Sequence, residues 1–322
     1  MRTPKGSIAT TPPLKFKREA TMVCKAPLAE TGVPELKERK TPFVKPFSNL
    51  TPGIVCCPFM EIVFATGCPY DCQYCYLRGT FRRGIVPKPT LYSNWRRMIH
   101  EVQAYLTRLP TPTVFHTGEL ADSLAMPPAA RTIAALIEVF AKQDKHKLLL
   151  LTKSANVESI LHVEHARQTV VGFSLNPPQI AQTFETGAAH PSARLDAAQK
   201  CLDAGYPVVF RLDPMIPEEG WERTYECLLD CLNGWSIRGV AIGSLRAYPI
   251  LLRFISPKLR TMLKERDLSG RWRIPEHTRI EMYSFAMSRL THPFIGICKE
   301  PGSIWGPLAT KHKKKFLCNC RL

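Results

Sequence analysis

Short apolar runs alternating with amphipathic stretches predict an α/β fold, a parallel sheet with helices on its outside. Six such runs suit a partial (β/α)6 barrel that stays open on one side, with N- and C-terminal extensions. The runs lie at 61–66, 113–117, 147–152, 169–174, 207–212 and 239–242. Between them, the spacing of apolar residues predicts helices over 95–107, 129–143, 154–162, 192–204 and 221–232. Prolines recur too often before this pattern for helices, so residues 1–55 read as a basic, proline-rich arm, partly without fixed structure. Residues 56–255 form the barrel, and 256–322 an extension ending in a basic, cysteine-containing tail.

Composition bounds the function. The chain has 322 residues and 45% hydrophobic content, enough for a sizeable core. No apolar run approaches the roughly 18 residues of a membrane span, so no membrane partner is expected. Twelve cysteines without an apolar leader after Met1 point to reduced thiols and a cytoplasmic protein. Net charge is +17, from 44 basic and 27 acidic residues, which favours a polyanionic partner, nucleic acid first. The plainer alternative is a set of solvated tails, and Lys311, Lys313, Lys314 and Lys315 sit in one.

The densest chemistry is Cys68, Cys72 and Cys75, spaced C-x3-C-x2-C in one loop. Three thiolates aimed at one centre suit an iron–sulfur cluster, and a four-iron cluster would keep one iron open for another ligand. Structural zinc is the competitor, although it wants four ligands, commonly as two C-x2-C pairs. Unliganded buried cysteines are the third possibility. Cys298, Cys318 and Cys320 suggest a second metal centre, completed by Cys24, Cys56 or Cys57, or else scattered free thiols. Cys201, Cys227 and Cys231 fall beside leucines on predicted helices and read as core.

The cysteine loop starts directly after the first strand, at the end where barrels of this kind gather their chemistry. Later strands end in polar groups at that same rim: Gly118 and Glu119, Lys153, Ser174 and Asn176, Arg211, and then Arg246. Singly each could be a cap or a solvated end, but together they form a candidate site. Arg78, Arg82 and Arg83 border it and are candidates for phosphate contact. Tyr92-Ser93-Asn94-Trp95-Arg96-Arg97 and Arg271-Trp272-Arg273 pair aromatics with arginines, as a stacking surface for bases would, or as core tryptophans with solvated neighbours.

The cysteine loop, Gly67 to Tyr76, resembles the radical S-adenosylmethionine superfamily. Further motifs narrow the resemblance to the spore photoproduct lyase family. They are residues 68–77 (CPYDCQYCYL), 151–153 (LTK), 173–176 (FSLN), 183–186 (TFET), 194–198 (RLDAA), 204–207 (AGYP) and 217–225 (PEEGWERTY). The resemblance implies a [4Fe-4S] cluster on Cys68, Cys72 and Cys75, and S-adenosyl-L-methionine on its open iron. It implies that Gly118 and Glu119 hold the cofactor's ammonium, that Tyr74, Lys153, Ser174, Asn176 and Arg211 are further cofactor contacts, and that Tyr76 is catalytic. It also implies an electron donor such as flavodoxin or ferredoxin, and DNA repair by radical cleavage of a methylene-linked thymine dimer. The family carries a hydrogen-donor cysteine just after the second strand, where this chain reads Gly118-Glu119-Leu120-Ala121-Asp122-Ser123-Leu124-Ala125. That departure predicts cofactor cleavage with poor photoproduct repair. Two other readings stay open: radical modification of a peptide or small metabolite, and a non-catalytic, metal-stabilised nucleic-acid-binding protein.

Overall fold

The computed structural model describes residues 33–47, 51–80, 88–318 and 320. Nine strands make the main sheet: β1 Val44–Pro46, β2 Met60–Ile62, β3 Val114–His116, β4 Lys147–Thr152, β5 Thr169–Ser174, β6 Val208–Met215, β7 Val240–Ser244, β8 Phe294–Ile297 and β9 Lys315–Phe316. Their order across the sheet is their order along the chain. Every neighbouring pair from β2 to β9 is parallel, and only β1 runs antiparallel, beside β2. Crossovers of one hand that always advance in the same direction put their helices on one face and leave the other to enclose a site.

The two faces follow from the period of two along each strand. Phe115, Leu148, Leu150, Val171, Phe173 and Phe210 pack in one buried cluster with helical residues. Those helices include α1 Trp95–Arg108, α2 Ala130–Ala141, α4 Pro191–Asp203 and α5 Trp221–Leu232. The alternate residues Val114, Leu149, Val170 and Val209 form a second cluster with Cys57, Phe59, Cys318 and Cys320. Two or four residues further along the strands, that inner face becomes the polar rim: Gly118, Lys153, Ser174 and Arg211. Burial of each large aliphatic or aromatic side chain contributes about 1.5–3 kcal/mol, and both faces use it.

Four predicted helices match α1, α2, α4 and α5, but the one expected over 154–162 is a series of turns. There Thr152 Oγ1 accepts from the Ser154 amide at 2.8 Å, and Ser154 Oγ accepts from the Asn156 amide at 3.0 Å. Such local bonds offer the backbone an alternative to the helix ladder. Unpredicted helices among the described residues include α3 Pro178–Phe184, α6 Glu276–Arg289 and α7 Gly302–Lys311. Pro178 sits in the first turn of α3, where its missing N–H costs nothing. Cys201 is core, as expected, but Cys227 is exposed. The buried stripe of α5 runs through Tyr225, Leu228, Leu229 and Leu232 instead. Among the described residues, no helix is long and apolar enough to cross a membrane.

Candidate active site

The cysteine loop is held from below and from the side. Asp71–Cys72 pairs antiparallel with Glu185–Thr186, with Cys72 opposite Glu185. The Glu185 carboxylate is fully buried and bonds Arg194, also fully buried, at 2.5 Å. It further accepts from Asn176 Nδ2 at 3.0 Å and from the Tyr74 hydroxyl in a short bond. Tyr225 in turn donates to Asn176 Oδ1 at 2.9 Å. Both ends of the Asn176 amide are therefore committed to this buttress, which sets it behind the site and not among the side chains lining it. On the other side, Arg78 pairs with Asp71 at 2.6 Å and donates to the carbonyls of Cys72 and Asp71 at 3.1 and 3.2 Å. The expected phosphate contact is corrected by these bonds, which make Arg78 a clamp on the cysteine loop. Arg82 and Arg83 lie outside the described residues.

Cys68, Cys72 and Cys75 open into one cavity of about 770 Å³. Tyr74, Tyr76, Gly118, Glu119, Lys153, Ser174 and Arg211 line it too, so every other predicted site residue is brought together there. Burial pushes all three thiols up from their ordinary range. The loop thus holds neutral thiols, and a cationic iron centre is what would draw off their protons. Among the described residues, no three His, Cys, Asp or Glu side chains close on the position of a single metal ion. Three thiols opening into one cavity suit a larger inorganic core, so the donor set fits the cluster that the loop implies.

Next to the thiols, the Gly118 amide donates to His116 Nδ1 at 2.8 Å. A Cβ on Gly118 would sit 2.8 Å from the same imidazole, so the position needs glycine. Burial pushes the Glu119 carboxyl up, against the pull of Arg211 and Lys299. Tyr76 donates to the Glu119 backbone carbonyl in a short bond, with Glu119 Oε2 at 3.4 Å. Lys153 places its ammonium 5.6 Å from the centre of the Tyr74 ring. Asp122 ties the rim together, accepting from Thr152 Oγ1 at 2.6 Å and from the Lys153 amide at 2.7 Å. Across the cavity, Arg211 and Arg246 share one carboxylate, Asp213, each at 2.6 Å. Two guanidinium groups on one carboxylate leave this wall net positive, a counterpart for an anionic group of a ligand.

Cys298, Cys318 and Cys320 line this same cavity. The single-ion geometry that a second metal site would show is absent there among the described residues, and Cys24 lies outside them. Arg273 is likewise not a nucleic-acid contact. It is buried and pairs with Asp267 at 3.0 Å and with Glu300. Arg271 does reach the cavity, which Trp272 does not line. Arg97 pairs with Glu101 one turn along the helix, at 3.1 Å. Sequence reasoning missed the roles of Glu185, Arg194, Asp122 and Asp213. A signal existed for two of them, since Glu185 lies in the TFET motif and Arg194 opens RLDAA.

A family model described as spore photoproduct lyase matches residues 58–279, well over half of the chain. Spore photoproduct lyase of Bacillus subtilis (strain 168) is 34% identical over 173 residues, 53% of this chain and 50% of that protein. Its counterpart in Geobacillus sp. (strain Y412MC61) is 31% identical over 202 residues, 62% of this chain and 58% of that protein. The chain thus spans about half the length of the curated relatives it matches. A mutant spore photoproduct lyase solved with bound AdoMet and dinucleoside spore photoproduct superposes with a TM-score of 0.68 at 25% identity, over 81% of this chain and 80% of that one. The complex with dinucleoside spore photoproduct gives 0.68 at 26% identity over the same shares. The match takes in the cysteine loop and β2 to β7, and the chain belongs to the spore photoproduct lyase family.

Proposed function

We propose that this chain is a radical S-adenosylmethionine lyase acting on nucleic acid, with the methylene-bridged thymine dimer as its substrate class. One observation carries the reading: Cys68, Cys72, Cys75 and the Glu119 carboxylate face a single cavity with a net positive wall. The sheet that frames the cavity is read as a partial (β/α)6 barrel, continued at its edges by β1, β8 and β9. When bound, the cluster and S-adenosylmethionine supply a 5′-deoxyadenosyl radical.

The protein's own share is positioning. Cys68, Cys72 and Cys75 hold the cluster. Gly118 and Glu119 receive the cofactor's ammonium, an interaction that favours the ionised carboxylate against its burial. Tyr76 fixes the Glu119 peptide through its bond to that carbonyl. Tyr74 and Lys153 form the wall beside the cysteine loop, Ser174 the adjoining strand end, and Arg211 the site for the cofactor's carboxylate. Flavodoxin or ferredoxin is the expected class of electron donor. The segment 118–125 lacks a cysteine, which on sequence grounds alone predicts poor repair, so the repair proposed here requires a hydrogen donor from elsewhere in the cavity.

Anaerobic reconstitution tests this reading. The chain should hold about four irons and absorb broadly towards the visible. It should release 5′-deoxyadenosine from S-adenosylmethionine, and added DNA carrying the photoproduct should change that release. No iron centre in the wild-type chain, or one kept by a triple Cys68, Cys72 and Cys75→Ala variant, sinks it.

A further inference from the structure

Resting on that reading, we infer that Cys298, delivered from the C-terminal part of the chain, is the hydrogen-atom donor that quenches the substrate radical.

Geometry selects it. Four cysteines besides the cluster set line the cavity: Cys56, Cys298, Cys318 and Cys320. Cys56 points its hydrogen at the Cys57 carbonyl, 3.8 Å away. Cys318 accepts hydrogen bonds from Cys320 and Cys57, which hold its thiol low, and the Cys320 hydrogen is committed to it. Cys298 differs. Its sulfur accepts from Arg211 Nη2 at 3.1 Å and from Arg246 Nη2 at 3.5 Å. Both contacts use sulfur lone pairs, which leaves the S–H to turn elsewhere. Burial pushes this thiol up to about 11, against Arg211 and Arg246, so it carries its hydrogen at neutral pH.

The backbone sets the position. Cys298 follows β8 and donates its amide to the Ile242 carbonyl at 2.7 Å, at the rim end of β7. Lys299, the next residue, has φ 58°, a left-handed conformation that a lysine adopts at a cost. That turn separates Cys298, in the cavity, from Glu300, in the buried network with Arg273, Arg279 and Tyr283. The same two arginines that touch the sulfur also act on Glu119, the proposed cofactor contact. Cys298, Glu119 and the three cysteines of the loop line one cavity, which puts the thiol where the cofactor and the reacting substrate carbon would meet.

The step balances as follows. A carbon radical remains on the substrate after fragmentation. It takes one hydrogen atom from Cys298, so that S–H breaks and C–H forms, leaving a thiyl radical. One electron from a low-potential iron–sulfur or flavin protein and one proton from water restore the thiol.

The test is a single turnover in heavy water with synthetic photoproduct dinucleotide, S-adenosylmethionine and reductant, followed by mass spectrometry. Wild-type product should carry one deuterium on carbon. Cys298→Ser keeps an acceptor for both arginines but loses the weak S–H. It should retain wild-type iron content and 5′-deoxyadenosine release, while labelled thymine dinucleotide falls about a hundredfold, the order lost when a reacting group is out of place. Cys298→Ala should behave alike, and Cys318→Ala should match the wild type. Full labelled yield from Cys298→Ser, or unlabelled wild-type product, overturns the assignment. So does iron loss in Cys298→Ser, which would make Cys298 a metal ligand. If the wild type releases 5′-deoxyadenosine but no thymine dinucleotide, the substrate reading falls and this assignment with it.

Discussion

Glu185 and Arg194 form a fully buried ion pair at 2.5 Å directly beneath the cysteine loop, with Glu185 paired across strands to Cys72. Their motifs, TFET and RLDAA, lie apart in the sequence, and the structure joins them into one support. A neutral replacement leaves the Arg194 guanidinium buried without its anion. Glu185→Gln should therefore cost about 3–5 kcal/mol of stability, measured by urea unfolding of the iron-free chain. An unchanged midpoint would show that Arg194 finds another partner.

His116 gives a pH signature. It is fully buried beneath the rim, and burial, then Arg211, lower its pKa to about 3 from 6.5. The unfolded chain binds this proton more readily, so the stability from a neutral His116 is complete above about pH 6.5. It is lost progressively as pH falls from there towards 3. Unfolding free energy across that window should slope less in His116→Gln than in the wild type. Parallel slopes would show that His116 does not carry the effect.

Glu119→Ala should weaken S-adenosylmethionine binding by about 1.5–3 kcal/mol, the worth of a hydrogen bond to a charged group. Equilibrium dialysis of the reconstituted chain reads this directly. The iron content should stay at the wild-type level, because the role proposed for Glu119 is to hold the ligand and not the cluster. Equal affinity in the two proteins would remove Glu119 from the cofactor site.

Arg78 separates two roles. Its bonds to Asp71 and Cys72 make it part of the cysteine loop. Arg78→Ala should lower iron retention. It should leave the slope of log affinity for duplex DNA against log salt unchanged, where a lost phosphate contact would shift it by about 0.9. Fluorescence anisotropy at several salt concentrations supplies the slope, and a shift near that size would return Arg78 to the phosphate.

Much of this was legible because it is local. The C-x3-C-x2-C loop, the alternation of strands and helices, and the polar residues ending successive strands are all patterns of near neighbours. A parallel sheet turns such patterns into one rim, as Gly118, Lys153, Ser174 and Arg211 show. Long-range pairing was not legible. Asn176 reads as a rim residue from its place after β5, yet Glu185 and Tyr225 draw both ends of its amide inward. Arg78 reads as an exposed cation, but Asp71 and two carbonyls claim it. Cys298 reads as part of a tail, and only the pairing of β8 with β7 brings it to the cavity.

The central claim is that these residues together repair a thymine photoproduct. Its most direct test is anaerobic incubation of the reconstituted chain with S-adenosylmethionine, reductant and synthetic spore photoproduct dinucleotide, with thymine dinucleotide quantified by liquid chromatography. The account predicts thymine dinucleotide from the wild type and none from Cys75→Ala. Intact photoproduct beside fully cleaved cofactor in the wild-type reaction would contradict it.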